Sequence, residues 1–457
     1  MKPRLAVVGS GPSGMYAADA LLDNGMDVDV IDQLPVPFGL VRYGVAPDHT
    51  SIRSVRDTLD QIWDKPGIRF FGNVKVGDDV SIEELLAAYH AVFLTYGASS
   101  DRRLGIEGEE LPGSVAATDF VAWYTGHPDY YGPDFDSLLP SVRSVAVVGV
   151  GNVAVDVVRV LSKSADELAG TDMPDHVLAA LDAAPIESVF LLGRRGPVQA
   201  SFTTKELREL GELQEADIRV AAVDLELDPS SEAELASNKV AARNHSVMLD
   251  WLARSPRGSG EGVKRIIDLK FFRRPVRILG ADRVAGIELE RTEFDHTGSL
   301  RGTGEVEQLA VDLVVRSVGY RGTPLPGVPF DPDGNVIPNV EGRVVNGSTV
   351  IPGLYVAGWI KRGPTGIIGT NKKCAVATVA SLLEDIEEGR LTIDREAPGI
   401  DALLAARGVR IVDSAGWRSI DAQERERGEA QGRPRLTIHE RAELLDIGAG
   451  VSPRAST

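Results

Sequence analysis

Residues 5–32, LAVVGSGPSGMYAADALLDNGMDVDVID, constrain the fold more than any other stretch of the chain. The apolar run 5–8 is short and branched enough to be a fully buried strand. Gly9, Gly11 and Gly14 follow at G-x-G-x-x-G spacing. Ala17, Ala18, Leu21 and Leu22 then recur at helical intervals until Asn24-Gly25 ends the helix. A second apolar run closes on Asp32. Gly9 lets the chain turn off the strand, Gly11 keeps a side chain out of the way of a pyrophosphate, and Gly14 lets helix and strand pack closely. The positive end of the helix then faces the phosphates, and Asp32 stands where an acid accepts hydrogen bonds from a ribose. Strand, loop, helix and terminal acid together predict a dinucleotide-binding α/β unit.

The chain is long enough, at 457 residues, for two or three domains. With 43% hydrophobic and 25% charged residues it has the composition of an ordinary globular protein. Its N-terminus runs from Met1-Lys2-Pro3-Arg4 straight into the first strand, and no apolar run reaches the length of a membrane span, so a cytoplasmic protein is expected. One cysteine, Cys374, excludes an internal disulfide, a Cys-x-x-Cys redox pair and a cysteine-ligated iron–sulfur cluster. A net charge of −18 argues against nucleic acid or an anionic membrane as partner. No metal-ligand cluster and no Ser-His-Asp arrangement has usable spacing.

A second unit repeats the opening. Residues 145–148 form an apolar strand and lead into Gly149-Val150-Gly151-Asn152-Val153-Ala154, a G-x-G-x-x-A loop, with helix continuing over 156–161. Two phosphate loops mean two dinucleotides, or a duplication with one site lost, and both loops being intact favours the first. The next strand of this unit, 189–192, ends in Gly193-Arg194-Arg195-Gly196 with no acid. Guanidiniums at that position attract a 2′-phosphate, which an acid rejects. The first site therefore suits FAD and the second NADP(H), unless the arginines are only a solvated turn. Helices are expected at 51–63, 82–89, 202–213, 402–406 and 439–445, and strands at 68–76, 91–96, 263–272, 285–290 and 309–317. Residues 258–262 read as a mobile loop and the C-terminus as a loose tail. A late strand ending at Ala357-Gly358 suggests a split FAD domain, 1–105 and 325–457, with the NADP domain, 106–324, inserted between.

Several long stretches resemble the adrenodoxin reductase family of flavoprotein NADPH–ferredoxin reductases: VVGSGPSGMYAA, PFGLVRYGVAPDH, VGVGNVAVDVVRVL, GRRGPVQASFTTKELREL and GWIKRGPTGIIGTNKK. The resemblance implies a glutathione-reductase-like pair of Rossmann-like domains and non-covalent FAD. It places Gly9, Gly11, Pro12, Ser13, Gly14, Asp32, Leu40, Val76 and Trp359 on the FAD, with Gly366, Ile367 and Ile368 at the ring's polar edge. Gly151, Asn152, Val153, Arg194, Arg195 and Glu206 fall on NADP(H), with Gly366 near the nicotinamide and Arg102 a further cofactor contact. The resemblance also pairs His49 with Glu209, as a proton-handling pair or as a structural hydrogen bond holding two domains in register. It implies a monomer.

Hydride transfer needs the nicotinamide C4 stacked on flavin N5, with the protein supplying alignment. The Gly363-Pro364-Thr365-Gly366 turn has the backbone freedom to approach a ring and place N–H donors there. Trp359 either shields that ring or packs in the core. Lys264, Arg265, Lys270, Arg273, Arg274 and Arg277 make a basic run in an acidic chain, a docking patch for an acidic ferredoxin or the two faces of a solvated strand. Other readings are a flavin monooxygenase or quinone reductase, and a nucleotide-binding scaffold without turnover.

Overall fold

The computed structural model describes residues 2–254, 262–366 and 368–449, so Ile367, the expected loop at 258–261 and the tail beyond 449 lie outside the described residues. The chain divides into two compact units, one of Met1–Ser100, Thr125–Asp129 and Tyr320–Thr457, the other of Asp101–Tyr124 and Tyr130–Gly319. Both are dinucleotide-binding α/β folds.

The first unit is built on a seven-stranded sheet in the order Asn339–Val340, Arg343–Asn346, Thr349–Val356, Ala91–Leu94, Arg4–Val8, Asp27–Asp32, Ile68–Gly72. Its last five strands are parallel. Alternation explains why such apolar runs are strands: Leu5 and Val7 enter one hydrophobic core, Ala6 and Val8 the core on the opposite face. A sheet covered on both faces has no use for the polar alternation of a half-exposed strand. The late strand Thr349–Val356 joins beside Ala91–Leu94, with Val356 opposite Leu94. Arg4–Val8 lies between strands on either side that follow it in sequence, so the strand order reverses at its carboxyl end, where open α/β sheets bind ligands. The short segment Thr125–Asp129 belongs to this unit because Thr125 Oγ1 donates to the Tyr43 carbonyl at 3.3 Å and the His127 ring lies 4.8 Å from that of Tyr43. Burial lowers the His127 imidazole to about 4, so it is neutral at neutral pH.

The second unit has a six-stranded, all-parallel sheet in the order Ser114–Ala116, Leu313–Arg316, Ser144–Val148, Ser188–Leu192, Arg265–Lys270, Ala216–Val220. A three-stranded antiparallel sheet, Arg273–Leu279, Gly286–Phe294 and Leu300–Leu309, accompanies it. The helix Asn152–Ser162 is buried from Ala154 to Ser162, and its two charged residues, Asp156 and Arg159, pair with each other at 2.8 Å.

Several expectations need correction. The helix expected at 51–63 is three short pieces, Thr50–Arg53, Val55–Asp60 and a 3-10 turn Gln61–Asp64. The strand expected at 68–76 stops at Gly72, where Asn73 takes a positive φ of 62°. The basic run does not form one patch. Arg265 and Lys270 lie on a strand inside the parallel sheet, Arg273, Arg274 and Arg277 on the next, and alternation buries Arg265. Each is also matched with an acid: Lys264 with Glu215 at 2.7 Å, Arg265 with Glu215 at 3.6 Å, and Lys270 with Glu307 at 3.9 Å. Arg273 meets Glu307 and Asp224, Arg274 meets Glu290, and Arg277 meets Glu288.

Candidate functional site

In the first unit the glycine loop is shaped by what surrounds it. The Gly9 N–H donates to Ile31 at 2.8 Å, joining the ends of the first two strands. At Gly9 (φ +102°) a Cβ would stand 2.8 Å from the Tyr96 Cα, and at Gly14 a Cβ would stand 1.8 Å from the Gly9 carbonyl oxygen. At Gly11, by contrast, a Cβ would meet nothing within 4 Å, so the space in front of the helix Pro12–Asp23 is open. Gly11 caps that helix without a side-chain hydrogen bond, which leaves the positive helix end available to an anion. The Ser13 hydroxyl, on the first turn, is buried and has no hydrogen-bond partner among the described residues.

Asp32 fastens this loop. Its Oδ2 accepts the Ser10 N–H at 2.7 Å and the Ser10 hydroxyl, and its Oδ1 accepts the Leu34 N–H at 2.9 Å. Burial raises its carboxyl above the ordinary aspartate value, against the opposing pull of those donors. Sequence reasoning gave no role to Ser10, although a hydroxyl between two loop glycines has few other acceptors within reach.

The remaining expected flavin residues fall in the same unit. Leu40 begins the helix Leu40–Tyr43 and is half-buried; Val76 is buried. Trp359 begins the helix Trp359–Arg362, its ring 5.7 Å from that of Tyr320, and its indole Nε1 is buried without a partner among the described residues. Gly366 is exposed with φ +83°, and Ile368 starts the twenty-residue helix Ile368–Glu387. His49 is buried, its N–H donating to the Ala46 carbonyl at 3.0 Å. An uncapped helix end, open space at Gly11 and orphaned donors at Ser13 and Trp359 fit a bound FAD.

The loop of the second unit repeats the first. Gly149 has φ +129°, and a Cβ there would stand 2.1 Å from the Ser317 carbonyl oxygen. Gly151 caps the helix Asn152–Ser162, again with no side-chain hydrogen bond. The Asn152 carboxamide oxygen accepts the Thr203 N–H at 2.9 Å, and Val153 follows it on the first turn. Thr203 and Glu206 form a capping box, so the buried Glu206 carboxylate is committed to the start of the helix Thr204–Leu210. Glu209, on the same helix, lies 3.6 Å from the buried Arg159 and 3.9 Å from Lys205. Arg102 is exposed, and its N–H donates to the Gly319 carbonyl at 2.9 Å.

The strand Ser188–Leu192 delivers Arg194 and Arg195 on a backbone held from both sides. The Gly193 N–H donates to Lys270 and its carbonyl accepts from Arg273, both at 2.9 Å. The Arg194 carbonyl accepts the Thr292 hydroxyl at 2.7 Å, and the Arg195 carbonyl accepts the Phe272 N–H at 3.1 Å. Both guanidiniums are exposed, and among the described residues neither has a hydrogen-bond or ion-pair partner. In a chain whose other arginines are largely matched with acids, these two stand free just past the end of the strand Ser188–Leu192.

Among the described residues no group of His, Cys, Asp and Glu is arranged to hold a metal ion, and no helix is long and apolar enough to cross a membrane. The glycine contacts yield a first prediction. Gly14→Ala forces the helix off the strand end by overlap with backbone, so the purified variant is expected to lose most of its flavin. The ratio of visible to 280 nm absorbance measures this, and a ratio equal to that of the unmodified protein would refute it.

A sequence family described as pyridine nucleotide-disulphide oxidoreductase matches residues 3–189. The NADPH-ferredoxin reductase FprA of Mycobacterium tuberculosis is 46% identical over 98% of this chain and 99% of its own. The mitochondrial NADPH:adrenodoxin oxidoreductase of Arabidopsis thaliana is 42% identical over 97% of this chain and 95% of its own. The structure of the M. tuberculosis FprA in complex with NADPH superimposes with a TM-score of 0.91 at 44% identity, covering 98% of this chain and 100% of that one. With two phosphate loops of matching design and relatives of this identity along nearly its whole length, the chain belongs to the adrenodoxin reductase family of flavoprotein NADPH–ferredoxin reductases.

Proposed function

We propose that this protein oxidises NADPH and delivers the electrons to a ferredoxin. The observation that carries this reading is the contrast between two otherwise matching strand ends. One closes on the buried, loop-fastening Asp32, the other on the exposed and unmatched Arg194 and Arg195. FAD, when bound, accepts hydride from NADPH and releases electrons singly to an iron–sulfur acceptor.

The chain's own residues bind and orient. The uncapped helix ends at Gly11 and Gly151 receive the diphosphates. Asp32 keeps one lone pair for a ribose hydroxyl, since two carboxylate oxygens offer about four acceptor positions and three are taken. Leu40, Val76 and Trp359 supply apolar surface to the flavin, with the backbone of Gly366, Ile367 and Ile368 at its polar edge. Asn152, Val153 and Glu206 fix the loop that carries NADP(H), Arg194 and Arg195 take the 2′-phosphate, and Arg102 is a further cofactor contact. The unit of Met1–Ser100, Thr125–Asp129 and Tyr320–Thr457 is the FAD domain, and that of Asp101–Tyr124 and Tyr130–Gly319 the NADP domain, in place of the expected 1–105 with 325–457 and 106–324. His49 and Glu209 are the positions from which a proton or a domain register could be controlled. Of the basic run, Lys264, Arg274 and Arg277 keep much of their side chains in solvent, and these are what it offers an acidic iron–sulfur protein. We take the working form to be a cytoplasmic monomer.

Cytochrome c reduction by NADPH, followed with and without added ferredoxin, tests the reading. Ferredoxin is expected to raise the rate severalfold. Turnover with a quinone or organic substrate and no response to ferredoxin would overturn it.

A further inference from the structure

Four buried side-chain atoms without a hydrogen-bond partner among the described residues sit on three residues around one turn. They are Ser13 Oγ, Trp359 Nε1, and both Nε and Nη1 of Arg362. Gly358 locates them relative to one another. A Cβ at Gly358 would stand 2.7 Å from Ser13 Oγ and 3.9 Å from the carboxamide oxygen of Asn371. That same oxygen accepts Arg362 Nη2 at 2.9 Å, and the Thr365 carbonyl accepts it at 3.0 Å. Arg362 is thus aimed by two neutral oxygens while the rest of its guanidinium is left without an acceptor.

Unmatched guanidinium donors in a buried position are costly to leave unsatisfied. Most buried arginines of this unit meet acids instead: Arg42 and Arg435 meet Glu424, and Arg343 meets Asp385. Arg362 differs in that its partners carry no charge, so its full positive charge remains for something outside the chain. Ser13, which Gly358 separates from the Asn371 oxygen that holds Arg362, stands on the first turn of the helix that Gly11 leaves uncapped. We propose that Arg362 binds the cofactor of this unit by donating to an anionic phosphate oxygen of the FAD diphosphate, with Asn371 as the residue that positions it. This rests on the reading that the unit holds FAD.

The test is FAD release from the purified holoenzyme, followed by flavin fluorescence, together with the flavin midpoint potential, for Arg362→Gln, Arg362→Lys and Asn371→Leu. Losing a charge-assisted hydrogen bond is expected to weaken FAD binding about ten- to a hundredfold in Arg362→Gln. Arg362→Lys restores the charge and is expected to hold FAD within about tenfold of the unmodified protein. Asn371→Leu falls between them. The phosphate carries the same charge in both redox states, so the midpoint potential should not move. FAD held as tightly by Arg362→Gln as by the unmodified protein overturns the proposal. A potential that shifts with the substitution also overturns it, because it places Arg362 on the ring. If Arg362→Gln does not fold, Asn371→Leu decides: weakened FAD binding supports the contact, and FAD held as tightly as by the unmodified protein refutes it. An unmodified protein that purifies without flavin would instead sink the cofactor reading itself.

Discussion

Replacing Arg194 and Arg195 together by glutamine should raise KM for NADPH about a hundredfold or more, with little change in KM for NADH, since each charge-assisted contact to a phosphate contributes roughly 1.5–3 kcal/mol. The two guanidiniums are presented on backbone pinned at Gly193, Arg194 and Arg195 and have no acid to release first. Their full charge is therefore available to the ligand. NADH lacks the 2′-phosphate and gains nothing from them. Steady-state kinetics with ferricyanide, a small acceptor that needs no docking surface, isolates the nucleotide step. Equal losses with NADPH and NADH would mean that the arginines support the loop rather than read the phosphate.

The second large effect lies away from both phosphate loops. Glu424 is fully buried between Arg42, which is 3% exposed, and Arg435, which is 2% exposed. Its Oε2 accepts Arg42 Nη1 at 3.0 Å and Arg435 Nη1 at 2.6 Å, while its Oε1 accepts the Ile438 N–H at 2.9 Å and Arg42 Nη2. Arg42 belongs to the helix Leu40–Tyr43, a few residues before His49, and Glu424 to the helix Ser414–Glu429. Removing the carboxylate in Glu424→Ala leaves Arg42 buried without a counter-charge and Arg435 with Asp421 alone, and is expected to cost about 3–5 kcal/mol of stability. The urea midpoint of the holoenzyme, read by flavin fluorescence and by circular dichroism, measures it. A midpoint unchanged from the unmodified protein would refute it.

The same carboxyl sets a pH dependence. Burial alone would raise its pKa, but Arg42 and then Arg435 outweigh burial, so the folded value lies below the unfolded one. Its contribution is therefore complete above the unfolded value, about 4.3 for a glutamate, and is lost as pH falls through the lower folded value. Glu424→Gln should flatten the acid side of the stability profile in that window and leave the slope near neutrality unchanged.

Much of this site was legible because backbone chemistry leaves a pattern in sequence. Gly9 and Gly14 are required by overlaps with Tyr96 and with the loop's own carbonyl, and such overlaps admit no other residue, while Gly11 leaves the space in front of the helix open. The Arg194-Arg195 pair was legible because it follows an apolar strand that ends with no acid. The unread parts are those where a core position carries charge. In the helix Ser414–Glu429 the inward residues are Trp417, Ile420, Glu424 and Gly428, and a buried glutamate breaks the apolar periodicity that marks a helix. Residues 214–262 hid the helices Pro229–Ser237 and Lys239–Ala253 for a related reason, since the first buries only Ser231. The basic run misled because composition along a strand does not show the acids on its neighbours. That the partners of Arg362 are neutral is visible only in the structure.

The central claim is that one NADPH fills the flavin with two electrons that leave separately. Anaerobic titration of the holoenzyme tests it most directly. One equivalent of NADPH should bleach the visible flavin band, and two equivalents of an oxidised one-electron ferredoxin should restore it. A band untouched by NADPH, or one that ferredoxin cannot restore, would contradict the account.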